Sequence, residues 1–308
     1  MKNFLSVICL VFCVGVSFGQ NYEKVVFNNE PGDGYYLAIA PESTEISGVL
    51  VLLPGFGQTA ESIFPETKIH NVAYLHGILT IAVAGGRKLY ADEEVMTKLN
   101  ATLEHVKERY NLSRDQFVIG GFSAGGTISL RYAEYCYERP QEASIQPKGV
   151  FSVDSPVDLF NIWDYFQREI KKNYSEAGVG EANFVSEIML REIGHPVKNK
   201  ATYDKLTPFN ADLDEPGNER FLKDVSVRVY HDIDVIWLLQ NRRRSLFDSN
   251  ALAASELINR LLLAGNEKAE FVPAKQPGFR SAGFRHPHSW SIVDEVELVL
   301  WVSKNLRE

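Results

Sequence analysis

The chain is poor in cysteine. Its 308 residues hold three, Cys9, Cys13 and Cys136, and the first two fall within the opening nineteen residues. A chain that loses those residues keeps one thiol and cannot close an internal disulfide, so its core must hold it together. Cys136 lies in an apolar helical pattern, which points to burial rather than reactivity. Long apolar runs are also scarce. Phe4 to Val16 is short for a membrane span, and no other stretch is long and apolar enough to cross a bilayer. Basic stripes are missing: the formal net charge is -8, which argues against nucleic acid as a partner. Arg242-Arg243-Arg244 is the local exception, read as a solvated helix end. There is no internal repeat, low-complexity tract, or linker rich in Pro, Gly and Ser. Nor is there an H-E-x-x-H, a paired-Cys motif or a Gly-rich phosphate loop, so the expected chemistry needs no metal and no cofactor.

What is present begins with an export signature. Met1-Lys2-Asn3 is a positive start, Phe4 to Val16 is the apolar run, and Ser17-Phe18-Gly19 supplies small residues for cleavage. Residues 1–19 are therefore expected to be a signal peptide, with Gln20 as the first mature residue and a secreted or periplasmic location. The remaining 20–308 reads as one domain.

Apolar runs of strand length recur along it: Glu23 to Phe27, Tyr35 to Ala40, Gly48 to Leu53, Ile78 to Val83, Gln116 to Gly120, Gly149 to Val153, Val225 to Tyr230, and Ala269 to Val272. The first two flank a turn-rich segment, residues 28–34, which suits an antiparallel hairpin. The later runs are apolar on both faces, as buried parallel strands are. Helical periodicity fills the gaps at Glu93 to Tyr110, Ala124 to Tyr137, Asn250 to Ala264 and Ile292 to Leu306. This alternation predicts an α/β fold, a mostly parallel eight-stranded sheet with helices on both faces. From Leu159 to about Phe221 no strand is evident. Two helices are expected there, one carrying Phe160, Ile162, Trp163, Tyr165, Phe166 and Ile170 and one over Ala182 to Ile193. They would form a helical insertion that serves as a lid, a pocket wall or ordinary packing.

The chemistry centres on Gly121-Phe122-Ser123-Ala124-Gly125. This G-x-S-x-G stands between a strand and a helix, where a sharp turn lifts the Ser hydroxyl out of the sheet. Ser123 is the expected nucleophile. A serine hydroxyl needs a His to take its proton and a carboxylate to orient that His. In the loop after Val225 to Tyr230, Asp234 is the first choice for the acid and Asp232 the second; Asp154, after Gly149 to Val153, is a third. In the loop after the last strand, His288 is preferred as base over His286. For the oxyanion hole, the backbone N–H of Ala124 follows the nucleophile. The other donor comes from Pro54-Gly55-Phe56-Gly57-Gln58, with Phe56 ahead of Gly57.

With those residues in place, the chain resembles an α/β-hydrolase, and within that superfamily the secreted esterases of the polyhydroxyalkanoate-depolymerase and feruloyl-esterase type. Two segments carry the narrower likeness: Leu53 to Ser62, similar to their oxyanion loop, and Asn111 to Gly126, similar to their approach to the nucleophile. Pro54 stands where that family has a His, and the acid turn lacks the family's Gly. The resemblance implies a Ser-His-Asp hydrolase acting on a small-molecule or polysaccharide-linked carboxylic ester. The rival readings are a peptidase of the prolyl-oligopeptidase type and a non-catalytic binding protein on the same fold.

Overall fold

The computed structural model describes residues 22–27, 34–42 and 45–308. The signal-peptide segment 1–19, Cys9, Cys13, Gln20 and most of the first turn lie outside the described residues.

One eight-stranded sheet organises the chain. Its strands are β1 (Glu23–Val26), β2 (Tyr35–Ile39), β3 (Gly48–Leu53), β4 (Ile78–Ala82), β5 (Phe117–Phe122), β6 (Gly149–Val153), β7 (Ser226–His231) and β8 (Ala269–Pro273). They lie in the order β1-β2-β4-β3-β5-β6-β7-β8. β2 runs antiparallel to both its neighbours, and every pair from β4 to β8 is parallel. The fold is thus the mostly parallel α/β sheet expected, and the strand order is that of the α/β-hydrolase fold. β3, β4, β5 and β6 are buried at every position, which is why they read as unbroken apolar runs.

Helices cover both faces: α1 (Ile69–Leu75), α2 (Glu93–Arg109), α3 (Ala124–Glu138), α4 (Leu159–Lys172), α5 (Glu176–Glu192), α6 (Lys200–Leu206), α7 (Val235–Asn241), α8 (Asn250–Leu263) and α9 (Glu295–Arg307). One apolar cluster packs α2, α3 and α8 on one face of the sheet; another packs α1 and α9 on the other. α9 begins at Glu295 rather than Ile292. Asp294 caps it by accepting from the Glu297 N–H, and Trp290–Ile292 forms a separate 3₁₀ turn.

Between β6 and β7 stand α4, α5 and α6, which build a third cluster of their own around Trp163, Phe166, Val185 and Met189. Asp158 caps α4, accepting from the N–H groups of Phe160 and Asn161, and Asn173 ends it in a left-handed conformation. α5 starts at Glu176, six residues before the expected Ala182, with Ser175 as its cap. Gly178 and Gly180 blur the apolar period there. Gly178 has a packing reason: a Cβ on it would stand 2.5 Å from Glu169 Oε1 and 2.9 Å from Arg244 Nη2.

Candidate active site

The carboxyl ends of β5, β6 and β7 and the loop after β8 meet at one cavity of about 210 Å³. Ser123 follows β5 with φ 54° and ψ −126°, a region that costs a non-glycine residue roughly 1–3 kcal/mol. The turn is held by the Ser123 N–H donating to Val153 O and the Gly126 N–H donating to Ser123 O. Its glycines are sterically required. A Cβ on Gly121 would lie 2.5 Å from the carbonyl carbon of Gly125 and 2.7 Å from Leu53 O. One on Gly125 would collide with the carbonyl oxygens of Leu53 and Pro54. The close approach of β3 to the start of α3 thus selects the motif's spacing, and Ser123 is left lining the cavity.

His288 also lines the cavity, and its ring packs 4.4 Å from that of Phe122. Its Nδ1 is 2.6 Å from Asp154 Oδ2. Asp154 is the residue after β6, at φ 44°, and its own N–H donates to Tyr230 O on the neighbouring strand. Its other oxygen, Oδ1, is 2.9 Å from Nδ1 of His231. Burial alone would push the Asp154 carboxyl up. The hydrogen bonds and charges of the two imidazoles outweigh it and hold the group well below the usual carboxylate range. An ionised Asp154 calls for a proton on His288 Nδ1, which leaves Nε2 as the ring's acceptor.

The first two choices for the acid are placed elsewhere. Asp234 caps α7, accepting from the Trp237 N–H at 2.9 Å, and its Oδ2 is 2.9 Å from Arg285. Asp232 accepts from the Gly278 N–H and pairs with the same Arg285 nitrogen at 2.9 Å. The cause is local. β7 extends to His231 and α7 starts at Val235, so only Asp232, Ile233 and Asp234 span the gap. Asp234 is drawn to the helix end, Asp232 to the Gly278 N–H and both to Arg285, while His231 takes the place beside Asp154. The sequence marks Asp154 as a carboxylate directly after the run Gly149 to Val153; His231 closes an apolar strand and carries no signal of its own.

His286 lines the same cavity, but its Nδ1 accepts from the His288 N–H, and it packs against Trp237. Burial and the neighbouring charges lower its pKa to about 4.

The Phe56 residue lines the cavity and Gly57 does not. The Gly57 N–H donates to Arg87 O at 3.3 Å, while no backbone partner engages that of Phe56 among the described residues. Gln58 Oε1 accepts from the Gly55 N–H at 2.8 Å and fixes the loop. Ala124 opens α3, where N–H groups lack intrahelical partners and the helix dipole favours negative charge. Ser123 Oγ has no hydrogen-bond partner among the described residues; it shares the cavity with His288.

α4 and α5 supply the far wall through Ile162, Phe166 and Val185. Arg242 and Arg244 line it as well, a departure from the solvated helix end expected for this trio. Arg243 alone is exposed. Among the described residues no group of three or more His, Cys, Asp or Glu is placed to hold a metal ion, and no helix is long and apolar enough to cross a membrane. Cys136 is buried, and burial pushes its thiol up to about 12.

No protein-family model matches the chain, and no curated protein matches it in sequence. Solved structures do. FphF of Staphylococcus aureus, described as a fluorophosphonate-binding serine hydrolase, superposes with a TM-score of 0.55 at 14% identity, covering 92% of this chain and 98% of its own. Mycobacterium tuberculosis MPT51 gives 0.57 at 14% identity, covering 94% and 99%. Carboxyl esterase 2 of the fungus Tuber melanosporum gives 0.57 at 13%, covering 95% and 89%. Together with the strand order, they establish that the chain has the α/β-hydrolase fold.

Proposed function

We propose that the protein is a serine hydrolase that cleaves carboxylic esters. The observation that carries it is the Asp154–His288 hydrogen bond, formed in the cavity that also holds Ser123 on its strained turn. Ser123 Oγ attacks the ester carbonyl carbon as its proton passes to His288 Nε2. The carbonyl oxygen becomes negative and is met by the N–H groups of Ala124 and Phe56. The carbon–oxygen bond to the alcohol then breaks, and His288 returns the proton to the departing oxygen. Water, deprotonated by the same His288, releases the acid and restores Ser123. Asp154 keeps His288 in the reactive tautomer and offsets its transient positive charge. The descriptions of the structural neighbours as a serine hydrolase and a carboxyl esterase support this reading.

The test is Ser123→Ala. Hydrolysis of a panel of aryl esters should fall by about 10⁴ or more. Labelling by a fluorophosphonate probe should vanish with the melting temperature nearly unchanged. A Ser123→Ala protein that still turns over and still takes the label would remove Ser123 from the chemistry.

A further inference from the structure

Three arginines follow α7 directly, and the middle one has a backbone that side chains disfavour. Arg243 sits at φ 51°. Around it, the N–H groups of both Arg242 and Arg244 donate to Leu238 O, at 3.0 and 3.2 Å. The left-handed residue reverses the chain at the helix end. Arg243 points outward over the ring of Tyr174, while Arg242 and Arg244 on either side line the cavity that holds Ser123.

Both cavity arginines keep donors in reserve. Arg244 is anchored through Nε, 3.0 Å from the buried Glu169 carboxylate, and lies 4.7 Å over the ring of Tyr165. Its side chain is 15% exposed. A guanidinium held by Nε keeps its two Nη groups as a planar fork, the shape that receives a carboxylate. Neither Nη has a hydrogen-bond partner among the described residues. Gly178 faces that fork with no side chain to cover it. Arg242 lies 5.3 Å over Trp237 and pairs with no carboxylate among the described residues.

The acids of the cavity are mostly spoken for. Asp154 is held by two imidazoles, Asp232 by Arg285, and Asp248 by Arg168 and Lys172. Glu181 is the exception: exposed on α5, it has no ion pair within 4 Å among the described residues, and its charge acts on Arg244 from a greater distance.

The geometry points to a substrate class: an ester whose acyl or alcohol half carries a second, free carboxylate. That group docks on Arg244 and Arg242 while the ester carbonyl lies at Ser123. The inference rests on the cavity being an ester hydrolase's site.

Matched substrates test it on the full chain. On the acyl side, an aryl monoester of glutaric acid is compared with the same aryl ester of valeric acid. On the alcohol side, the butyrate of 4-hydroxybenzoate is compared with that of 4-hydroxybenzamide. In one arm the anionic ester should be favoured in kcat/KM by about tenfold or more, through KM, as charge-assisted hydrogen bonds allow. That arm identifies the half carrying the carboxylate. The preference should shrink with added salt, a readout that needs no variant. It should also shrink in Arg244→Gln, and in Arg242→Gln, which leaves no buried acid unpaired. Equal cleavage within both arms, or a ratio that both variants leave unmoved, overturns the inference while the esterase stands. So does a preference for an ester bearing a trimethylammonium group, which would give the cavity to Glu181. Failure to cleave any of the esters overturns both.

Discussion

Asp154 and Asp234 have the same side chain and different work. Asp154 touches His288; Asp234 touches a helix N-terminus and an arginine. Asp154→Asn should therefore lower kcat by roughly 10⁴, because the amide can leave His288 in the wrong tautomer. Asp234→Asn should cost at most about 1 kcal/mol of stability and little rate, since asparagine also caps helices. His231 acts through Asp154. It is 1% exposed, stacks on Phe271, and its Nε2 is buried without a partner. A bare Nε2 places the ring's proton on Nδ1, where it donates to Asp154. His231→Gln should reduce kcat far less than Asp154→Asn, since glutamine can still donate to the Asp154 carboxylate. Steady-state kinetics across pH on the three variants checks this. An Asp234→Asn enzyme that loses four decades of rate would return the acid to the β7 loop.

At the scale of elements, α3 carries more than the nucleophile. Glu134 on its buried face has neither carboxylate oxygen hydrogen-bonded. Arg131 Nη1 is 3.6 Å away, and Glu138 on the same helix and Glu219 and Arg220 on the 3₁₀ turn Asn218–Leu222 add their charges. Burial, with Glu219 and Glu138 acting in the same direction, outweighs the two arginines and raises its pKa well above the usual carboxylate value. The sign follows from proton linkage. Above the unfolded chain's carboxyl pKa, the unfolded state releases a proton that the folded state retains, so stability falls as pH rises. Glutamine keeps the shape and has no proton to lose. Glu134→Gln should gain on the parent in melting temperature as pH goes from 4.5 to 8, reaching roughly 2 °C or more. Calorimetry at the two pH values measures it. A variant that is instead less stable at pH 8 would mean an ionised Glu134 paired with Arg131.

Elements were also where periodicity was most legible. The eight strands lie within one or two residues of the runs in the sequence; β3 to β6 stand out because they are buried at every position, while the antiparallel β1 and β2 are marked by the turn-rich segment between them. α5 is longer than its apolar pattern, because Gly178 and Gly180 interrupt the period while Ser175 caps the helix seven residues before Ala182. α7 is anticipated only as the helix whose end carries Arg242 to Arg244. Val235 to Leu239 are apolar at every position, so the segment shows no helical period, and none of its residues is buried.

For the molecule as a whole, the opening residues predict export. The mature protein should begin at Gln20 and be recovered outside the cytoplasm; N-terminal sequencing that finds Met1 retained would refute this. Among the described residues Cys136 is a lone free thiol, so stability is left to packing, and the clusters on the two sheet faces provide it. Fold class, strand order of appearance and the Ser123 turn were properties of local sequence: burial periodicity and glycine sterics act over a few residues, and a reader of the chain can see both. The partner of His288 was not local. Asp154 and His288 stand 134 positions apart and meet only because β5, β6 and β7 are neighbours in the sheet and the loop after β8 folds back over their carboxyl ends. The same holds for Arg244, which only the cavity wall distinguishes from Arg243. Distance along the chain carries no information on which of several equivalent carboxylates a helix end will claim first, and that competition is settled by tertiary packing.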